Sequence, residues 1–131
     1  FLPLLQDSRG CLLFISSIAG LEAFGAPVDY STAKSAVIAL AKNMARKLGP
    51  TMRVNVVCPG NVIFPGGSWE VKQRTDPELV SYLIEKSVPM KRFGLPEEIG
   101  DAAVFLCSPA AGCITGVSVP VDGGLLACYT N

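Results

Sequence analysis

The feature that most constrains the fold is a pair of short, largely apolar segments separated by one stretch with helical periodicity. The first segment, Cys11–Ile15, reads CLLFI, and the second, residues 53–58, reads RVNVVC. Between them, residues 27–48 carry apolar side chains at three- and four-residue steps, and Gly49-Pro50 ends this pattern. Strands buried on both faces read as continuous apolar runs. We therefore predict a βαβ unit with two parallel strands and a right-handed crossover.

The rest of the chain adds helices and one more strand. A helix begins at Asp76, whose side chain is a typical cap, and another runs from Pro96 to about Ser108. A last strand is predicted over residues 117–121, and residues 61–75 are predicted to form a long connection rich in glycine and proline. These elements predict an α/β fold with a mostly parallel sheet.

The predicted topology also gives the position of a site. In an open parallel sheet, ligands collect at the carboxyl ends of the strands. Ser16-Ser17 follows the first strand and Pro59-Gly60 ends the second, so both pairs are predicted to lie at that edge.

Composition excludes several classes of function. The chain has no histidine, which excludes Ser-His-Asp and Cys-His catalysis and most zinc sites, so no metal is predicted. Its formal net charge is +0 and no basic run is longer than the Lys91-Arg92 pair, so nucleic acid is not an expected partner. No apolar run approaches the roughly 20 residues of a membrane helix, and no signal peptide is visible. We expect a cytoplasmic protein without membrane contact.

The five cysteines show no CxxC spacing. An odd number of cysteines without this spacing is typical of free thiols in a reducing compartment. We expect them to be free and buried, with disulfide and metal roles as the less favoured alternatives.

Tyr30 and Lys34 are four residues apart on the predicted helix and therefore share a face. A phenol has a pKa of about 10, and a neighbouring ammonium favours the phenolate, which would lower that pKa toward useful proton transfer. Ser17 precedes this pair, and the intervening loop is expected to bring its hydroxyl beside the phenol, where it can donate to a substrate carbonyl oxygen. A Tyr-x-x-x-Lys pair alone is a common surface pair, so the interpretation depends on this context.

Five segments carry a recognisable pattern in order and spacing. They are ISSIAG at 15–20, YSTAK at 30–34, RVNVVCPG at 53–60, RFGLPEEIGDAAVFL at 92–106 and ITGVSVPVDGG at 114–124. Together they resemble the short-chain dehydrogenase/reductase family over nearly the whole chain except residues 61–90. The resemblance implies that residues 1–131 are the C-terminal catalytic half of a single Rossmann-like domain, a partial doubly wound parallel sheet whose N-terminal cofactor-binding half is absent.

The resemblance also implies roles for catalytic residues. Tyr30 would be the proton donor or acceptor for the substrate oxygen. Lys34 would lower the pKa of Tyr30 and hold the hydroxyls of the nicotinamide ribose, and Ser17 would orient the carbonyl or alcohol. The implied reaction is hydride transfer between NAD or NADP and a carbonyl or secondary alcohol, with the substrate, the choice of cofactor and the direction left open.

The remaining cofactor contacts follow the same resemblance, with two departures. Pro59, Gly60 and Val62 would contact the nicotinamide end, Val62 through its backbone. No glycine-rich phosphate loop and no counterpart of the family's upstream catalytic asparagine occurs in the chain, which begins at Phe1, so we expect a piece of a longer protein that is inactive alone. Phe64 stands where the family often has a threonine that contacts the cofactor.

The segment 61–90 is predicted to be the variable, substrate-binding part, with Gly66-Gly67 as a hinge for a lid. Four residues of this segment are predicted to line an apolar pocket: Phe64, Trp69, Val71 and Tyr82. Phe64 and Trp69 are the predicted substrate-binding residues, and packing of the aromatics onto the body of the protein is the alternative. Four basic residues are interpreted as solvated charges, with a role in holding the substrate as the less favoured alternative: Lys72, Arg74, Lys91 and Arg92.

Three interpretations of function remain open. The first is an NAD(P)-dependent carbonyl reductase or secondary-alcohol dehydrogenase, which by resemblance would be a homodimer or homotetramer when complete. The second is a truncated, catalytically inactive chain with a binding or regulatory role. A plain structural α/β module would explain the fold but not the spacing of the motifs.

Overall fold

The computed structural model describes residues 2–128. In chain order the helices and strands are α1 (Leu2–Asp7), β1 (Cys11–Ile15), α2 (Val28–Leu48), β2 (Arg53–Pro59), α3 (Ser68–Thr75), α4 (Pro77–Ser87), α5 (Pro96–Cys107) and β3 (Ser118–Val121). Short 3₁₀ turns follow β1 at Ile18–Gly20 and follow α5 at Pro109–Ala111.

The three strands form one parallel sheet in the order β1-β2-β3. Phe14 pairs with Val56, and Val57 pairs with Val119. The helix α2 connects β1 to β2 and packs on the sheet. The predicted α/β class and the βαβ unit are therefore confirmed, and the carboxyl ends of β1 and β2 lie at the same edge.

The main core lies between α2 and one face of β2. Val54, Val56 and Cys58 alternate along β2 and pack against Ala41 and Ala45 of α2. Small residues on α2 allow the helix to approach the sheet closely. A second, smaller cluster joins the segment after β2 to the rest of the fold; its buried members are Val80, Val88 and Phe93.

Polar side chains of β2 form hydrogen bonds with backbone groups of α5 and of the segment between α5 and β3. Asn55 is fully buried; its Nδ2 donates to the Ile114 carbonyl at 2.9 Å and its Oδ1 accepts from the Val117 N–H at 3.3 Å. The Arg53 guanidinium donates to the carbonyls of Leu106 at 2.6 Å, Ser108 at 3.1 Å and Ile114 at 3.2 Å. The last carbonyls of a helix have no hydrogen-bond partner within the helix. Arg53 therefore supplies the missing donor to the Leu106 carbonyl in the last turn of α5.

The structure corrects three expectations. The stretch 61–75 contains a helix, Ser68–Thr75, rather than a continuous loop. The strand β1 is only partly buried, with Ile15 49% exposed, because it lies at an edge of the sheet formed by the described residues. The cysteines are free as expected, but Cys107, Cys113 and Cys128 are exposed rather than buried.

An ion pair fixes the start of α5. Arg92 donates to Glu98 through Nη1 at 2.8 Å and through Nη2 at 2.6 Å, and Glu98 Oε2 also accepts from the Leu95 N–H at 2.9 Å. These hydrogen bonds to Arg92 and Leu95 lower the pKa of Glu98 to about 2 from its ordinary 4.5. The carboxylate lies in the first turn of the helix, where the dipole also favours negative charge.

We predict that the Glu98→Gln variant loses part of the acid sensitivity of folding. Because the pKa of Glu98 is lower in the folded state, its contribution to the free energy of unfolding is present above pH 4.5 and is lost as the pH falls toward about 2. Urea unfolding followed by circular dichroism should therefore show a shallower decline for Glu98→Gln than for the wild type in this window.

The matched control for this experiment is Glu97→Gln, which removes one charge from the same helical turn without touching the Arg92 pair. Equal slopes for the wild type and Glu98→Gln would contradict the assigned role of the ion pair.

Candidate active site

A cavity of about 800 Å³ opens at the carboxyl ends of β1 and β2. Ser17 after β1, Tyr30 in α2 and Gly60 after β2 all line it. The structure thus brings together residues from three separate parts of the sequence. They meet at the sheet edge where ligands bind in open α/β folds.

Tyr30 and Lys34 lie next to one another on α2. Lys34 Nζ is 5.6 Å from the centroid of the Tyr30 ring, within the distance at which an ammonium is attracted to an aromatic face. The same Nζ donates to the Ile15 carbonyl at 3.4 Å, at the end of β1. Tyr30 is 43% exposed and borders the cavity, whereas Lys34 lies beside the strand end rather than in the cavity lining.

Ser17 has extended backbone and caps the 3₁₀ turn Ile18–Gly20. Its Oγ accepts a hydrogen bond from the Ala19 N–H at 3.2 Å. A hydroxyl has one hydrogen to donate as well as two lone pairs. Because the capping bond uses only a lone pair, the Ser17 hydroxyl hydrogen remains available to a ligand oxygen in the cavity.

Small residues hold this loop against α2, a role that the sequence analysis did not assign to them. Ser16 Oγ donates to the Lys34 carbonyl at 2.8 Å, and Ser35 Oγ donates to the Gly20 carbonyl at 2.9 Å. A Cβ atom on Gly20 would lie 2.8 Å from the Lys34 carbonyl carbon, so only glycine permits this approach. The density of serine, alanine and glycine on both sides of the contact is the sequence signal that could have predicted it.

Cys58 lies beneath the site and is fully buried. Burial raises the pKa of the Cys58 thiol to about 11, while a backbone hydrogen bond from Ser17 and the charge of Lys34 act in the opposite direction. The thiol is therefore neutral near pH 7, and its role is to fill the core below the Ser17 loop.

The predicted cofactor-binding residues lie at the end of β2 and just beyond it. Pro59 pairs with Val121 at the end of the ladder. Gly60 lies so close to Asp122 that a Cβ atom would be 2.6 Å from the Asp122 Cβ. Val62 forms a short parallel bridge with Gly94, and the hydrogen bonds of that bridge use the neighbouring Asn61 carbonyl and Ile63 N–H rather than the Val62 backbone.

The two predicted substrate-binding aromatics occupy different places. Trp69 lines the cavity, packs on Phe93 with ring centroids 4.8 Å apart, and has Lys72 Nζ 4.7 Å from its ring. Phe64 is exposed and lies over Gly67 outside the cavity lining. Lys72 also borders the cavity and is exposed to solvent.

The C-terminal segment closes another side of the cavity, which the sequence did not indicate. Leu125 contributes to the lining. Asp122 Oδ2 accepts from the Leu126 N–H at 2.7 Å, and Glu22 Oε2 accepts from the N–H groups of Ala127 at 3.3 Å and Cys128 at 3.1 Å. These bonds join the segment after β3 to the loop after β1.

Known proteins are similar to this chain in sequence. A family model described as enoyl-(acyl carrier protein) reductase matches residues 1–126. The inactive 2-(S)-hydroxypropyl-CoM dehydrogenase 2 of Xanthobacter autotrophicus is 41% identical over 126 residues, covering 95% of this chain and 54% of that protein. The 3-oxoacyl-[acyl-carrier-protein] reductase of Chlamydia trachomatis is 33% identical over 124 residues, covering 94% and 48%.

Solved structures of proteins with similar sequences have the same fold as this chain. An oxidoreductase of the short-chain dehydrogenase/reductase family from Burkholderia thailandensis superposes with a TM-score of 0.85 at 41% identity, covering 98% of this chain and 50% of that one. A 3-oxoacyl-[acyl-carrier protein] reductase with bound NAD from Brucella melitensis gives a TM-score of 0.80 at 32% identity, covering 96% and 45%. The chain spans about half the length of the curated relatives it matches.

We predict that Gly60→Ala is destabilising by about 1–3 kcal/mol, the usual cost of overpacking. The added Cβ would lie 2.6 Å from the Asp122 Cβ and 2.8 Å from the Asp122 Cα, so the backbone at the floor of the site must move. The measurement is the free energy of unfolding in urea.

Gly100→Ala on α5 is the matched control, because a Cβ there has no neighbour within 4 Å. In a helix this exchange should stabilise by up to about 1 kcal/mol. A Gly60→Ala variant as stable as Gly100→Ala would contradict the close approach of Gly60 to Asp122.

Proposed function

The chain belongs to the short-chain dehydrogenase/reductase family, and on that premise we propose that it is the catalytic half of an NAD(P)-dependent carbonyl reductase or secondary-alcohol dehydrogenase. The observation that supports this best is the arrangement of Tyr30, Lys34 and Ser17 at one sheet edge. Tyr30 and Ser17 share the cavity lining, and Lys34 Nζ lies 5.6 Å from the Tyr30 ring.

Tyr30 is the group that we propose exchanges a proton with the substrate oxygen. It reaches the cavity from a rigid helix, which fixes its position relative to a ligand. In the reductive direction Tyr30 donates its hydroxyl proton to the carbonyl oxygen as that oxygen gains negative charge, and in the oxidative direction it takes the proton of the alcohol. The chain contains no histidine that could take this role.

Ser17 and Lys34 support that proton transfer in different ways. The Ser17 hydroxyl donates a hydrogen bond to the substrate oxygen while the Ala19 N–H holds Oγ in place. The negative charge that develops at the site during the transfer is attracted to the positive charge that Lys34 places next to Tyr30. The Ile15 carbonyl fixes the position of that charge at the end of β1.

The residues beyond β2 suit a nicotinamide cofactor. The hydrogen bonds of the bridge between Val62 and Gly94 do not involve the N–H and carbonyl of Val62. We propose that these two backbone groups would bind the carboxamide of the nicotinamide. Pro59 and Gly60 would contact the ring, and Lys34 would hold the ribose hydroxyls. When bound, the cofactor supplies or accepts the hydride.

The segment 61–90 supports substrate binding on one side of the cavity. Trp69 is the residue that we propose contacts the substrate, because its ring lines the cavity and is held by Phe93. The position of Phe64 over Gly67 favours a packing role for that residue. A single tryptophan and several aliphatic side chains in the lining fit a substrate with an apolar part.

An inactive chain with a binding or regulatory role is the second candidate. It is favoured by the name of one relative, an inactive 2-(S)-hydroxypropyl-CoM dehydrogenase, and by the half-length match to the curated relatives. The presence of Ser17 and Tyr30 in one cavity lining, with Lys34 next to Tyr30, favours the enzyme.

Location and assembly are further proposals. None of the helices within residues 2–128 is long and apolar enough to cross a membrane. The free cysteines fit a reducing compartment, which we propose is the cytoplasm. We also propose that the complete enzyme is a homodimer or homotetramer; Val28 and Leu40 are large apolar side chains that α2 leaves exposed.

We predict that Tyr30→Phe in the complete enzyme lowers kcat by about 10²–10⁴-fold, the usual contribution of a positioned acid-base group. The variant keeps the ring and loses only the hydroxyl, so the Kd for NAD(P)H in a fluorescence titration should change little. Lys34→Ala should weaken both turnover and cofactor binding.

Tyr82→Phe is the control for this series, since Tyr82 is 61% exposed on α4 and does not line the cavity. It should keep wild-type kinetics. Near-normal turnover by Tyr30→Phe would contradict the assignment of Tyr30 as the proton donor.

Trp69→Ala is predicted to change the substrate profile. Removing the ring enlarges the cavity and takes away the contact with Phe93, so kcat/KM for bulky and small carbonyl substrates should shift relative to one another. Phe64→Ala, outside the lining, should preserve the profile. Parallel changes for all substrates tested would show that Trp69 only packs the segment.

A further inference from the structure

A pair of cysteine side chains lies at the edge of the sheet opposite the candidate active site. Cys11 is the first residue of β1 and Cys107 is the last residue of α5. Cys11 Sγ donates to the Leu106 carbonyl at 3.5 Å, which places it beside the end of α5, where Cys107 is the next residue. Both line a cavity of about 540 Å³ at this edge.

The surroundings of the two thiols differ. Cys107 is exposed, while Cys11 is partly buried. Burial raises the pKa of the Cys11 thiol, and Cys107 adds to this, whereas the positive charge of Arg53 acts against it. An oxidant in solution therefore meets Cys107 first, and Cys11 is placed to react with whatever forms there.

We propose that Cys11 and Cys107 form a redox modification site, in which a low-molecular-weight disulfide such as oxidised glutathione converts the two thiols into a disulfide. This inference does not depend on the proposed enzymatic function. It rests on the shared cavity, on the hydrogen bond that holds Cys11 against the end of α5, and on the exposure of Cys107.

The chemistry balances in two exchange steps. The Cys107 thiolate attacks one sulfur of oxidised glutathione, forms a mixed disulfide and displaces one glutathione thiolate, which takes up the proton that Cys107 lost. The Cys11 thiolate then attacks the Cys107 sulfur and displaces the second glutathione thiolate, which takes up the proton of Cys11. The protein loses two electrons and two protons, and one oxidised glutathione becomes two reduced molecules.

The disulfide would join the amino end of β1 to the C-terminus of α5. Arg53 already binds that helix end through the carbonyls of Leu106 and Ser108. Because the closed loop contains most of the chain, the cross-link should restrict the unfolded state and raise Tm. In a reducing compartment such a bond is expected to be transient, as redox-sensing disulfides are.

The test is oxidation of the folded full chain with oxidised glutathione, followed by mass spectrometry. Trypsin places Cys11 in the peptide 10–34 and Cys107, Cys113 and Cys128 together in the peptide 93–131. The expected product joins these two peptides with the loss of two hydrogen atoms, reverts with dithiothreitol and has a higher Tm than the reduced protein.

Three variants identify the partners. Cys107→Ser and Cys11→Ser should each lose the cross-linked peptide, whereas Cys113→Ser, an exposed thiol on the same tryptic peptide, should keep it. If Cys11→Ser does not fold, the conclusion depends on Cys107→Ser. This variant should fold, because the Cys107 side chain is exposed. A cross-link that persists in Cys107→Ser, or a wild-type protein that stops at the glutathione adduct, would overturn the proposal.

Discussion

Parallel pairing of β1 with β2 is the constraint on which the rest of the structure depends. Two neighbouring parallel strands need a crossover between them, so the chain must leave β1 at one edge of the sheet and return through α2 to the opposite edge. The helix consequently begins at the carboxyl edge, and its first turns lie next to the end of β1. Lys34 can therefore donate to the carbonyl of Ile15, and Tyr30 can share a cavity with Ser17.

Contacts of small and polar side chains fix the positions of the loops and helices relative to the sheet. Ser16, Ser35 and Gly20 hold the loop after β1 against α2 at distances that larger residues would not allow. On the other side of the sheet, Asn55 and Arg53 use their side chains to satisfy backbone groups of the α5–β3 connection. Polar groups buried in this way fix position because leaving any one of them unpaired costs about 1–3 kcal/mol.

The elements that follow local rules could be predicted from the sequence, and those that depend on distant contacts could not. The periodic helix α2, the Asp76 cap of α4 and the apolar strands carry their signals within a few residues. Helix α3 reads SWEVKQRT, with no apolar repeat, and its ordering depends on Trp69 packing on the distant Phe93. Likewise, motif spacing suggested Ser17, Tyr30 and Lys34, but only the fold showed that Leu125 lines the cavity and Phe64 does not.

The most direct test of the proposed chemistry is a crystal structure of the complete protein with NAD(P) and a carbonyl inhibitor. The account predicts that the Tyr30 and Ser17 hydroxyls both lie within hydrogen-bond distance of the inhibitor oxygen, with the nicotinamide ring beside its carbonyl carbon. Lys34 Nζ should contact the ribose hydroxyls from its position beside Tyr30. An inhibitor bound elsewhere, with the Tyr30 hydroxyl far from its oxygen, would contradict the central claim.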